Sequence, residues 1–121
     1  MIRDIRNSGR FADKSFVDVG CGIPVISQTM KELGCKTVAG LEFNDFLVQE
    51  AKTYYPDVEM QQADMLTFPD YGKYDILYSY NPLSSGKMMI EALCHIIENM
   101  KIGAVFYFNN FMVEPKKLIK S

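Results

Sequence analysis

Apolar residues fall in short dense runs separated by segments of helical spacing, and the two patterns alternate along the chain. The runs at 15–19, 37–41, 74–80 and 104–109 are rich in Val, Ile, Leu, Phe and Tyr and read as buried strands. A fifth run at 58–62 is more polar, which places it at a sheet edge. Three segments between the runs repeat apolar residues at three- and four-residue steps. The first, 24–33, opens at Pro24, turns Ile26, Met30 and Leu33 inward and stops at Gly34. The second starts at an Asn44 cap and runs to Tyr55, with Phe43, Leu47, Ala51 and Tyr54 on its inner stripe. The third, 87–100, packs Ile90, Leu93, Ile97 and Met100 against the sheet. Residues 1–14 hold a short helix ending near Gly9, residues 64–73 an irregular crossing with Pro69, Asp70 and Gly72, and a last short helix starts near Glu114.

This order predicts one α/β domain: a doubly wound, mainly parallel five-stranded sheet with helices on both faces and right-handed crossovers. Ligands of such sheets bind beyond the carboxyl ends of the strands, where the strand order reverses. The candidate residues are those at the strand ends: Asp18, Gly20, Cys21 and Gly22, then Glu42, Asp64 and Asn81.

The stretch Phe16-Val-Asp-Val-Gly-Cys-Gly-Ile-Pro24 carries the sharpest chemistry. Its glycines let the backbone turn tightly and let a ligand lie against the main chain. The helix start after them offers free N–H groups and partial positive charge to an electron-rich group. Asp18, just before the turn, suits the cationic part of the same ligand. Together they point to a zwitterionic amino-acid cofactor.

Composition narrows the partners. The chain has 121 residues, net charge −2, 48% hydrophobic and 23% charged residues, as in a globular protein with one core. The balance argues against nucleic acid, which needs a basic field, and Lys116, Lys117 and Lys120 read as a solvated tail. No apolar run reaches membrane-spanning length and the first residues lack the core of a secretion signal, so a cytoplasmic protein with no membrane partner is expected. Cys21, Cys35 and Cys94 form no paired motif, so neither a metal site nor a disulfide framework is expected. Cys21 reads as a small residue in a tight loop, and His95, mid-helix, as structural.

Val17-Asp-Val-Gly-Cys-Gly22, Glu42 closing the second strand, Ala63-Asp64 after the third and Asp75-Ile-Leu-Tyr-Ser-Tyr-Asn-Pro82 as the fourth resemble the class I S-adenosylmethionine-dependent methyltransferases. The likeness covers about Phe16 to Asn109. It implies S-adenosyl-L-methionine as cofactor, with the glycine turn at its methionine portion and Glu42, next to Phe43, accepting both ribose hydroxyls. It implies Asp64 at the adenine amino group, Met65 against the ring, and Tyr80 and Asn81 facing the transferred methyl. The acceptor stays unidentified. Other readings stand beside these: Glu42 as a helix-start cap, Asp64 as a turn acid, Asn81-Pro82 as only a turn, and Met88 and Met89 as pocket lining or core. The motif also departs from the family: Pro24 stands where many members have a third small residue, and Asn81-Pro82-Leu83 lacks the rest of the Asn-Pro-Pro-aromatic motif.

Family members usually add two strands beside the fifth. Without them the fifth strand, Val105 to Phe108, leaves an apolar edge that invites association. Its cover is expected from the segment 111–119, a second copy or another protein, with a homodimer expected through this edge or the adjoining helix. Three functions remain open at this point: an active methyltransferase, a catalytically inactive methyltransferase-like subunit acting through a partner, and a dinucleotide-binding domain of the nicotinamide type. Against the last, Val25 stands where G-x-G-x-x-G needs its third glycine.

Overall fold

The computed structural model describes residues 2–80, 86–110 and 113–121, with side chains for 5–80, 86–109 and 116–121. Its elements are α1 (Ile2–Asn7), β1 (Ser15–Val19), α2 (Val25–Glu32), β2 (Thr37–Glu42), α3 (Asp45–Tyr54), β3 (Glu59–Gln62), a 3-10 turn (Tyr71–Lys73), β4 (Ile76–Tyr80), α4 (Gly86–Asn99), β5 (Val105–Asn110) and β6 (Val113–Ile119). One sheet holds all the strands in the order β3-β2-β1-β4-β5-β6. The first five run parallel and β6 runs antiparallel to β5. Strand order reverses between β1 and β4, so the carboxyl end of β1 lies at the switch point of the sheet. No helix among the described residues is long and apolar enough to cross a membrane.

Alternation along the strands sorts side chains into two cores. Val17, Val19, Leu77 and Phe106 join Met89, Ala92 and Ile96 of α4 on one face. Phe16, Val38 and Met60 join Val48 and Ala51 of α3 on the other. The three long helices meet the sheet only partly on the expected stripes: Met30, Ala51, Leu93 and Met100 pack inward as expected, while other expected residues do not. In α2 the buried residue is Ser27, whose Oγ donates to the Ala39 carbonyl at 2.7 Å, while Ile26 is exposed and Pro24 precedes the helix as its cap. In α3 Val48 and Ala51 are buried and Phe43 and Tyr54 exposed; in α4 Met89, Ala92 and Ile96 are buried and Ile90 and Ile97 exposed. The physical reason is common to them. A small residue at the centre of the stripe, Ser27, Ala51 or Ala92, lets the helix approach the sheet closely, and larger neighbours then fill the flanks.

The expected C-terminal helix is instead β6, which makes six strands rather than five. Its register pairs Phe106 with Leu118, Tyr107 with Lys117 and Phe108 with Lys116. The chain's own C-terminal segment covers the β5 edge because unpaired ladder groups on an apolar strand gain more from a strand than from a short helix.

The crossing segment before β4 is held firmly. Tyr71 donates its hydroxyl to the Met65 carbonyl at 2.7 Å. His95 Nε2 lies 2.8 Å from the Phe68 carbonyl oxygen, and since a carbonyl only accepts, that nitrogen carries the proton. Its ring meets Tyr71 edge-on at 5.5 Å. His95 thus ties α4 to the loop that follows β3, the structural role its mid-helix position suggests. Asp75 similarly joins the starts of two strands: it accepts from the Ser15 amide at 2.9 Å and pairs with Lys101. Burial pushes the Asp75 carboxyl up, but Lys101 and the Ser15 amide and hydroxyl outweigh it and hold it below the usual carboxylate range.

Gly40, mid-strand in β2, has a packing reason: a Cβ there would lie 2.7 Å from Met60 Sδ and 2.9 Å from Cys21 Sγ. The Gly40→Ala change is expected to lower unfolding free energy by about 1–3 kcal/mol in urea denaturation, since overpacking forces neighbours to move. An unchanged midpoint would show that the glycine turn tolerates displacement.

Candidate functional site

The turn after β1 is built by its backbone. Gly20 and Gly22 have φ of 70° and 57°, the left-handed region that side chains disfavour. The amides of Gly20 and Cys21 both donate to the Leu41 carbonyl at 2.9 Å, which stitches the turn over the end of β2. Glu42 then completes the arrangement. Its Oε1 accepts from the Gly22 amide at 2.9 Å and its Oε2 from the Asn44 amide at 2.8 Å. Asn44 in turn caps α3 through its side chain, which accepts from the Leu47 amide at 3.2 Å. One carboxylate therefore fastens the glycine turn to the start of α3. Each of its oxygens keeps a lone pair for a further donor.

Next to it lies a cleft of about 340 Å³ lined by Gly20, Glu42, Phe43, Ala63, Asp64, Met65, Leu66 and Met88. The loop 63–68 is fixed in place: the Ala63 amide donates to the Glu42 carbonyl at 3.0 Å, the Leu66 amide to Asp64 Oδ1 at 2.9 Å, and the Phe68 amide to the Asp64 carbonyl at 2.9 Å. Two carboxylates from the ends of β2 and β3 thus face apolar walls of Phe43, Met65, Leu66 and Met88. A nucleoside fits that combination, with acceptors for its hydroxyl and amino hydrogens and thioethers or a ring beside its base. A larger groove of about 580 Å³ runs between Ile23 and Phe46, Leu47 and Tyr54 of α3, but among the described residues it offers one carboxylate, Glu50. Orientation needs convergent polar groups, which the smaller cleft has.

The expected site residues divide as follows. Gly20, Glu42, Phe43, Asp64 and Met65 line the cleft together, and Gly22 reaches it through the Glu42 bond. Asp18 lies beneath the turn, 5% exposed, beside Gly40 of β2 and Tyr78 of β4. Burial, and after it the neighbouring Glu42 charge, raises its carboxyl to about 7. Cys21 bonds its thiol weakly to the Gly22 carbonyl at 3.6 Å. Burial, with Asp18 and Glu42 nearby, pushes that thiol far above the ordinary range, so it has no nucleophilic thiolate. Tyr80 ends β4 half-exposed, in register with Asn109, and is not among the residues lining the cleft. Asn81, with Pro82, lies outside the described residues. Of the two methionines at the start of α4, Met88 lines the cleft and Met89 enters the core. Leu66 was not expected; its place directly after Met65 is the only sequence signal for it. Among the described residues no group of His, Cys, Asp and Glu is arranged to hold a metal ion.

A family described as "Methyltransferase domain" matches residues 11–120, nearly the whole chain. The chain belongs to the methyltransferase domain family. Ribosomal protein L11 methyltransferase of Thermosipho africanus is 29% identical to this domain over 109 residues, 87% of this chain and 40% of that protein. An amino pentose methyltransferase of Micromonospora echinaspora, solved with SAM bound, superposes with a TM-score of 0.73 at 22% identity, over 91% of this chain and 49% of that one. The sugar N-methyltransferase KedS8 of a Streptoalloteichus species gives a TM-score of 0.65 at 20% identity, over 91% and 46%. These structures share the Rossmann-like class I fold with the domain, which spans about half the length of the relatives it matches.

The pH dependence of folding follows from Asp18. Its carboxyl is raised in the folded domain above the unfolded value of 3.8, so the folded form holds an extra proton between about pH 4 and about 7. Its contribution is greatest below that window and is lost as pH rises through it. In urea denaturation Asp18→Asn is expected to flatten the decline in stability between those limits, and an identical slope in both proteins would contradict a raised Asp18.

Proposed function

We propose that this domain binds S-adenosylmethionine and passes its methyl group to a nucleophilic acceptor. The observation that carries the reading is the pair of strand-end carboxylates, Glu42 and Asp64, set against an apolar cleft beside a left-handed glycine turn. Glu42 would take the two ribose hydroxyls on its remaining lone pairs and Asp64 the adenine amino group, with Met65, Leu66 and Met88 around the ring. The turn would lie along the amino-acid portion. When bound, the cofactor supplies an electrophilic methyl on a sulfonium. The domain's own part is to hold that methyl in line with the acceptor and to keep water away.

The charge pattern separates this reading from a dinucleotide domain. Asp18 and Glu42 crowd two carboxyl groups around the turn where a pyrophosphate would have to sit. An anion there would meet repulsion, whereas an ammonium would be drawn in. The relatives named above are methyltransferases of a ribosomal protein in one case and of sugars in the others, so they agree on methyl transfer and not on an acceptor.

Calorimetric titration tests the proposal. S-adenosylmethionine and S-adenosylhomocysteine are expected to bind and NAD is not; binding of NAD alone would overturn the reading. Glu42→Ala removes two backbone anchors and the ribose acceptor together. It is expected to weaken cofactor binding by about 1–3 kcal/mol, roughly 5- to 150-fold. Unchanged affinity would take Glu42 out of the binding site.

A further inference from the structure

A second apolar surface lies outside the cleft and plays no part in the function proposed above. It is the larger groove, of about 580 Å³, between Ile23, directly after the glycine turn, and the outer face of α3. Ile23, Phe46 and Tyr54 are 61%, 69% and 71% exposed around it, and Val25 and Ile26, close to Ile23 in the chain, are exposed as well. Single apolar residues on a surface are ordinary, but several gathered around one groove mark a place where another molecule is buried. A small polar ligand is poorly served there, because the described lining offers one charged group and little to fix an orientation.

That one charge decides what fits. Glu50 stands one helical turn after Phe46 and one turn before Tyr54, so apolar, acidic and apolar groups follow one another along a single stripe of α3. Glu50 has no ion-pair partner among the described residues, and no lysine or arginine among them lines the groove. Such a stripe is matched by a helix that carries a cation between two apolar residues, one turn to either side. The apolar residues enter the groove and the cation meets Glu50. A second copy of the chain matches it poorly, since a two-fold contact sets the patch against itself and brings Glu50 toward its own equivalent. The same carboxylate opposes an anionic membrane surface.

We propose that the groove is the docking site for an amphipathic helix of another protein, one whose buried stripe reads apolar, basic, apolar at four-residue steps. Phe46 and Tyr54 are its anchors and Glu50 sets the register of the docked helix. Docking there asks nothing of the cofactor cleft, so its test is independent of the cofactor assignment.

The probe is an alanine-rich helical peptide of about 15 residues with Leu, Arg and Leu at positions i, i+4 and i+8. It is titrated into the isotopically labelled whole chain and followed by amide spectra. The amides of Ile23, Phe46, Glu50 and Tyr54 are expected to shift together. Phe46→Ala is expected to weaken binding about tenfold and Glu50→Lys about fivefold. A second peptide with Glu in place of Arg is expected to bind the unaltered chain more weakly and the Glu50→Lys chain more tightly. Both altered side chains are exposed, so the fold is expected to persist, and the rest of the amide spectrum checks it. No binding, shifts away from the groove, or equal affinity for the two peptides would overturn the proposal. A concentration-dependent dimer in sedimentation that Phe46→Ala dissolves would assign the groove to a second copy and overturn it too. Pelleting with phosphatidylcholine vesicles that the same change abolishes would do so in favour of a lipid surface.

Discussion

The bridge made by the Glu42 carboxylate is the constraint on which the site depends. Its two oxygens hold the Gly22 amide on one side and the Asn44 amide on the other, which joins the turn after β1 to the start of α3. A turn with two residues at positive φ has little intrinsic stability, and charge-assisted bonds from a fixed carboxylate compensate for that. The same group forms the lip of the cleft. It stabilises the turn through one set of lone pairs and presents the other set to whatever lies in the cleft.

The surrounding packing exists to hold that carboxylate and its neighbours still. Gly40 makes room for Cys21 and Met60 beneath the turn. The Leu41 carbonyl takes two amides of the turn, and the Glu42 carbonyl takes the amide of Ala63 and so draws the loop after β3 toward β2. Tyr71 and His95 fix that loop from behind. Sheet, turn and loop therefore converge on one cleft through backbone bonds, with few long side chains to order.

How much of this could be read from the residues follows from what each feature depends on. The strand ends were legible because an acid or glycine after an apolar run is a local pattern, and Asp18, Gly20, Glu42 and Asp64 all stand in one. The inner faces of the helices were legible only in part, with Met30, Ala51, Leu93 and Met100 inward as expected, since three- and four-residue spacing allows neighbouring stripes. Only the closeness of approach at Ser27, Ala51 and Ala92 chooses between them. Met88 was hidden for the same reason: which of two adjacent methionines reaches the cleft depends on the phase of α4. The strand β6 was missed because its conformation is fixed by the open edge of β5, far away in sequence. Tyr80 stands at a similar strand end, and its side chain is half-exposed and is not among the residues lining the cleft.

Glu42 organises one cleft shared by the glycine turn, the start of α3 and the loop after β3. Amide spectra of the isotopically labelled chain, recorded during titration with S-adenosylhomocysteine, test it most directly. The amides of Gly20, Gly22, Asn44 and Asp64 to Leu66 are expected to shift together with one binding curve. Shifts confined to Ile23, Phe46 and Tyr54 around the larger apolar groove, with the Gly22 and Asn44 amides unmoved, would contradict it.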